Sequence, residues 1–178
     1  MSVSFSIFST IRPDINIPDW IQGANICLKN LLNQTEDFSV DLEVFCGTDV
    51  VNLFVPSEKI FGFVEKNFLD RGGVISYGLL DYWELDSDVP LFCFCISEIP
   101  RETDDLLLVL CHALLISAAK FMGATEIVDY HGIFNSNSDE TSIVDLMSLK
   151  IDRPATLDEA LKEFYKKLPI RRVHVLSK

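Results

Sequence analysis

The most constraining feature of the sequence is a long apolar segment, residues 103–122, which reads TDDLLLVLCHALLISAAKFM. Beyond its first turn the only polar side chains are those of His112, Ser117 and Lys120. Because strong helix formers dominate, the segment predicts a helix that is apolar around most of its circumference and ends at Gly123. Such a helix is stable only where other elements cover it on nearly every side. The chain is therefore expected to fold around it.

The segments on either side of this helix show the patterns of strands and further helices. Alternation of apolar and polar residues predicts strands, and apolar residues three to four positions apart predict helices. A capping box, Thr156 with Glu159 three positions later, predicts a helix that Pro169 ends. The predicted strands are 3–9, 40–44, 50–55, 74–80, 91–97 and 126–130, and the other predicted helices are 18–33, 56–70 and 142–149.

This order of elements predicts an α+β fold, with a mixed β-sheet and helices packed over it. The first half reads β-α-β-β-α-β, the order of a ferredoxin-like sandwich, and a β-α-β unit and C-terminal helices follow. The β-α-β unit is typical of a right-handed parallel crossover, and the apolar segment 91–97 is expected at the centre of the sheet. The length suits a single globular domain, residues 1–178, in which 170–178 form a loose basic tail or an edge strand.

Charge is the strongest signal in the composition. The chain carries 27 acids and 15 bases, a net charge of −12, and the excess of acids lies in residues 1–149, with 23 acids and 7 bases. Residues 150–178 hold 4 acids and 8 bases. A surface of this kind repels phosphate backbones and attracts basic proteins, so we expect a basic protein partner and no nucleic acid. The alternative is that the charge only keeps an apolar-rich chain in solution.

The cellular compartment is predicted from the N-terminal sequence and the cysteines. The first residues lack the pattern of a secretory signal, and the long helix is short of a membrane span, so we expect a cytoplasmic protein without membrane contact. Five cysteines are an odd number, and each lies in an apolar segment. They are therefore predicted to be reduced core residues.

Motifs that bind cofactors or mark common catalytic sites are absent from the sequence, so no cofactor is expected. Asp129 and His131 are the best candidates for chemistry, because they lie two apart at the end of a predicted parallel strand, where open α/β sheets present ligand groups. Asp139, with Glu140 in reserve, could complete a metal-assisted hydrolase site. The other interpretation is a hydrogen-bonded Asp and His that close the strand.

A second candidate site is the segment between the strands predicted at 74–80 and 91–97. It combines two aromatic residues with four acids, and interfaces draw much of their binding energy from Tyr and Trp anchors with polar surroundings. It is predicted to be a partner-binding loop, or else a hairpin loop whose Trp packs on the core. Its candidate residues are Asp81, Tyr82, Trp83, Glu84, Asp86 and Asp88.

Two classes of function follow from these features. The first is a non-catalytic acidic protein that covers a basic partner. In size, charge and α+β make-up the chain is similar to small acidic immunity proteins, which neutralise bacterial toxins. That similarity implies toxin inhibition but, since no motif carries it, transfers no residue. The second class is the metal-assisted hydrolase with Asp129 and His131, and the oligomeric state stays open in both.

Overall fold

The described part of the chain forms strands and helices, with five consecutive strands between the first two helices. A computed structural model of the protein describes residues 2–11, 14–33, 42–46, 49–51, 60–65, 74–84, 90–100, 105–129, 140–152 and 156–167. The strands are β1 (Ser2–Ser9), β2 (Leu42–Cys46), β3 (Asp49–Val51), β4 (Ile60–Glu65), β5 (Val74–Glu84), β6 (Pro90–Pro100), β7 (Glu126–Asp129) and β8 (Glu140–Ser142). The helices are α1 (Ile17–Leu32), α2 (Asp105–Met122), α3 (Ile143–Ser148) and α4 (Leu157–Lys167).

All the described strands belong to one sheet, in the order β3-β2-β4-β5-β6-β1-β7-β8. Helices accompany this sheet, so the predicted α+β class is confirmed. Strand β6, which contains the apolar segment 91–97, lies inside the sheet between β5 and β1, as predicted. The expected mixture of parallel and antiparallel pairs is wrong for the described strands, because every neighbouring pair among them is antiparallel.

The helix predicted for 56–70 is wrong over its central part, where Ile60–Glu65 forms β4 between β2 and β5. Ile60, Phe61 and Val64 fit the helical spacing, but aromatic and β-branched residues also suit a pleated surface with neighbours on both sides. Here pairing with two distant strands outweighs the local pattern. The described elements therefore do not follow the ferredoxin-like order.

The crossover through α2 connects two strands that point the same way. Both β6 and β7 are antiparallel to β1, which lies between them, so β6 and β7 are parallel to each other without being neighbours. The predicted parallel orientation is confirmed. In the predicted β-α-β unit the two strands are neighbours, whereas here β1 lies between β6 and β7.

Helix α2 is covered on nearly all sides, as its sequence predicts. Every residue from Val109 to Ala119 is buried, and Lys120 is exposed. The sheet strands β1 and β6 and the helices α1 and α4 supply the cover. Even His112 is fully buried, and its ring lies edge-on to Phe164 of α4 at a centroid distance of 5.4 Å. The polar residues of α2 therefore do not form a solvent-exposed stripe.

Helices α1 and α2 pack side by side and run in the same direction. The indole Nε1 of Trp20 donates to the carbonyl oxygen of Leu114 at 2.9 Å, and the Ser117 hydroxyl donates to the carbonyl oxygen of Trp20 at 2.8 Å. Further towards the C-terminus of both helices, the Lys120 amino group lies 3.9 Å from the Cys27 sulfur. Contacts that advance together along both helices require a parallel pair. These contacts hold the two helices together over the sheet.

The ends of the helices lie where the sequence predicts them. Asn33 ends α1 with φ of 49°, and Gly123 ends α2 with φ of 62°. Both have the left-handed conformation that is common just past a helix C-terminus. The capping box is present, since the Thr156 hydroxyl accepts from the Glu159 amide and the Glu159 carboxylate accepts from the Thr156 amide. Within the described residues, no helix is long and apolar enough to cross a membrane.

Candidate functional site

Strands β5 and β6 form the longest hairpin among the described residues. They pair antiparallel without interruption from Tyr77 opposite Ser97 to Glu84 opposite Pro90, and residues 85–89 connect them. Strand formers dominate both segments, which explains their length.

The hairpin is flanked by β4 on one side and by β1 on the other. The described pairing of β4 with β5 begins with Ile60 opposite Leu79, and Ile60 is the first described residue of β4. On the other side, pairing of β1 with β6 ends at Ser9 opposite Phe92. Residues 80–84, which we call the outer β5 segment, pair with residues 90–94 of β6.

The predicted partner-binding residues fall on this outer β5 segment. Asp81, Tyr82, Trp83 and Glu84 are its last four residues, so the prediction that they lie in a loop is wrong. The acids among them suggested a loop, but Tyr and Trp favour strands, and β6 provides a continuous partner for all four. Their backbones pair with Cys93, Phe92, Leu91 and Pro90, in that order. Two further predicted residues, Asp86 and Asp88, lie outside the described residues.

The hairpin and its connection form one of three acidic segments of similar length. Residues 74–100 contain five acids and no lysine or arginine, as do residues 30–57 and 121–149. Since nothing in the segment neutralises these charges locally, their fields add, and counter-charge must come from solvent ions or from another surface. The hairpin differs from the other two segments in holding a tryptophan, Trp83, beside its acids. The sequence identifies these aromatic and acidic residues but not their place on a strand, because strand length depends on distant neighbours.

The candidate metal or hydrolase residues are only partly described. Asp129 is the last residue of β7 and pairs with Phe5, while Glu140 opens β8 opposite Val128. The two strands thus bring the backbones of Asp129 and Glu140 to the same end of a hairpin. His131 and Asp139 lie outside the described residues. No group of three or more His, Cys, Asp or Glu residues that could hold a metal is found among the described residues.

One premise of that candidate site is wrong. The rule that ligands bind at the carboxyl ends of strands applies to open parallel sheets, in which neighbouring strand ends meet at one edge. Strand β7 is antiparallel to both of its neighbours, β1 and β8. The position of Asp129 at the end of β7 therefore carries no special expectation of a ligand.

The cysteines behave mainly as core residues. Cys27, Cys93 and Cys111 are buried free thiols and Cys95 is half-buried, so the predicted core position is confirmed for the first three. Burial raises the pKa of Cys111 to about 12. Burial also raises the pKa of Cys27, where Lys120 opposes the effect, and that of Cys95, where a hydrogen bond with Ser6 opposes it. Because raised pKa values keep thiols protonated, these side chains are poor nucleophiles and poor metal ligands at neutral pH.

No protein-family model, no curated protein and no solved structure matches this chain. The chain's own geometry and charge therefore carry the functional interpretation. The hairpin carries the candidate interface, since it combines an extended backbone with acids and with the aromatic residues Tyr82 and Trp83.

Proposed function

We propose that the protein is a non-catalytic acidic binding protein that covers a basic partner protein. The partner class that fits best is a bacterial toxin domain with a basic active site, which would make the protein an immunity-type inhibitor acting in the cytoplasm. The observation that carries the proposal is that β5 combines Tyr82 and Trp83 with Asp81 and Glu84, within a segment, residues 74–100, that has five acids and no base. Toxins that cleave nucleic acid need basic clefts, and a negative surface occupies such a cleft in place of the substrate phosphates.

The charge of the rest of the molecule supports the same partner. Residues 1–149 carry 23 acids against 7 bases, so the field around the hairpin is negative over a wide area. A field of this kind speeds the encounter with a basic protein and suppresses wrong partners. This matters for an inhibitor that must bind a toxin before the toxin acts.

Tyr82 and Trp83 supply the second contribution, short-range binding energy. Charge pairs at the rim of an interface contribute little free energy, whereas Tyr and Trp anchors commonly dominate it. These two residues lie between Asp81 and Glu84 on the outer β5 segment. In the proposed complex the acids therefore guide the approach, and the aromatic residues slow dissociation.

The test is co-expression with the basic C-terminal domain of a secreted protein encoded beside the gene. We expect the wild-type chain to restore growth of cells that make this domain, and to co-purify with it in a complex that dissociates with added salt. The variant Asp86→Lys/Asp88→Lys should lose both properties. The matched control, Asp49→Lys/Glu126→Lys, changes the net charge equally at two exposed positions away from the hairpin and should retain them.

Two results would contradict this function. One is equal protection by the hairpin variant and the control variant, because the hairpin charge would then be irrelevant. The other is catalytic turnover of a substrate that is lost in Asp129→Ala and restored by an added divalent metal. That second result would support the metal-assisted hydrolase instead.

A further inference from the structure

Helices α1 and α2 bring a lysine amine and a cysteine thiol into contact in their C-terminal halves. The Nζ atom of Lys120 lies 3.9 Å from the Sγ atom of Cys27. Cys27 is 1% exposed, whereas Lys120 is exposed, so the contact lies where the core meets solvent. This pair belongs to the helix layer and not to the β5–β6 hairpin, so the proposed partner interface does not use it.

The packing of the two helices holds this contact in place. On the N-terminal side of the pair, the Ser117 hydroxyl donates to the carbonyl oxygen of Trp20 at 2.8 Å, where Gly23 lets the helices come close. The two side chains therefore extend from backbones that buried contacts hold together. Groups that are held side by side react with each other far faster than with molecules in solution. The amine is thus placed to capture an oxidised form of the neighbouring sulfur.

The charge of Lys120 also acts on the thiol. Burial raises the pKa of Cys27, and the positive charge and hydrogen bond of Lys120 oppose that effect. At Cys111 of the same helix layer, burial raises the pKa to about 12. Peroxides oxidise the thiolate form of cysteine. Oxidation is therefore slow at both buried thiols but faster at Cys27 than at Cys111.

We propose that hydrogen peroxide converts this contact into a covalent N–O–S bridge between Lys120 and Cys27. A first peroxide oxidises the thiol to a sulfenic acid and leaves as water. With a second peroxide as oxidant, the neutral amine nitrogen bonds to the sulfenic oxygen and two more waters leave. Overall an S–O and an N–O bond form, the S–H bond and one N–H bond break, and two peroxides are reduced to three waters. Because the bridged residues are 93 positions apart, the bridge restricts the unfolded chain and stabilises the fold.

The experiment treats the full-length protein with excess hydrogen peroxide and maps its peptides by mass spectrometry without reductant. We expect the peptide that contains Cys27 to be joined to the peptide that contains Lys120, with a gain of one oxygen and a loss of two hydrogens. Dithiothreitol should separate the two peptides. The bridged protein should unfold at a higher urea concentration than the reduced protein, because the bridge stabilises the fold.

Two variants identify the amine that forms the bridge. Lys120→Arg keeps the positive charge but loses the amine, so Cys27 should be oxidised to sulfinic acid instead of being joined. Because Lys120 is exposed, this variant should keep the urea midpoint of the wild type in the reduced state. Lys162→Arg makes the same change at an exposed position of α4 and should retain the bridge.

Three results would overturn the bridge. The first is the absence of joined peptides under conditions that oxidise the half-buried thiol of Cys95. The second is sulfinic acid at Cys27 of the wild type beside an unmodified Lys120, because the amine would then have failed to capture the oxidised sulfur. The third is the same joined product in Lys120→Arg, since another group would then form the link.

Discussion

Ser117 of α2 packs directly against Gly23 of α1, and its Oγ occupies the space that a β-carbon at residue 23 would need. The same hydroxyl donates to the carbonyl oxygen of Trp20 at 2.8 Å. A residue without a side chain therefore lets the two helices come close enough for this buried hydrogen bond. The pair keeps α1 in place over the sheet, where the Trp20 ring meets Phe94 edge-on.

Substitution of Gly23 by alanine is expected to destabilise the protein. In an exposed helix the change would stabilise it by up to about 1 kcal/mol, because alanine favours helices. Here the new methyl group overlaps Ser117, and overpacking in a filled core typically costs about 1–3 kcal/mol. The sign of the change in the free energy of unfolding, measured by urea titration, therefore reports the contact.

The matching control is the same substitution in a Ser117→Gly background. With the Ser117 side chain gone, Gly23→Ala should cost nothing or stabilise. The coupling between the two positions should reach about 1 kcal/mol or more. An equal cost in both backgrounds would show that Gly23 and Ser117 are not in contact.

Truncation of Leu114 tests whether α2 is the centre of the core. This side chain is fully buried, so Leu114→Ala should cost roughly 2–5 kcal/mol of unfolding free energy. Lys120→Ala on the same helix is the control, because Lys120 is exposed and its loss should change stability by less than about 0.5 kcal/mol. A cost below about 1 kcal/mol for Leu114→Ala would mean that the site collapses easily and that α2 is not the centre.

Local signals explain what the sequence predicts correctly about the fold. The apolar circumference of α2, the left-handed residues Asn33 and Gly123, and the Thr156 capping box depend on neighbours within a few positions. Such features are readable without knowledge of the rest of the chain. Strand β4 is different, since Ile60, Phe61 and Val64 satisfy a helical spacing as well. Only pairing with β2 and β5 decides between the two structures.

The same distinction applies to the candidate sites. Tyr82, Trp83 and the neighbouring acids are recognisable as a possible interface from their composition. Whether they lie in a loop or on a strand depends on pairing with β6, from Leu80 opposite Phe94 to Glu84 opposite Pro90, which no local pattern contains. For Asp129, the prediction assumed that β7 lies beside a parallel strand. That assumption is wrong, because β1 lies between β6 and β7 and is antiparallel to both.

Replacement of Thr156 is expected to weaken the start of α4. Thr156→Ala removes the hydroxyl that accepts from the Glu159 amide at 3.4 Å and should cost about 0.5–2 kcal/mol of unfolding free energy. Thr156→Ser retains the hydroxyl and is the control, expected within about 0.5 kcal/mol of wild type. If both variants lost the same amount, the methyl group of Thr156 rather than its cap would be responsible.

Alkaline pH should destabilise the protein through Cys111. Burial raises the pKa of its thiol from 9.0 to about 12 in the folded state. Below pH 9 both states hold the proton, but above it the unfolded chain releases a proton that the folded chain keeps. Stability then falls by up to about 1.4 kcal/mol per pH unit until about pH 12. In urea titrations Cys111→Ala should show a shallower decline, whereas Ala113→Gly, which weakens α2 but keeps the thiol, should retain the full slope. Equal slopes in both variants would exclude Cys111 as the cause.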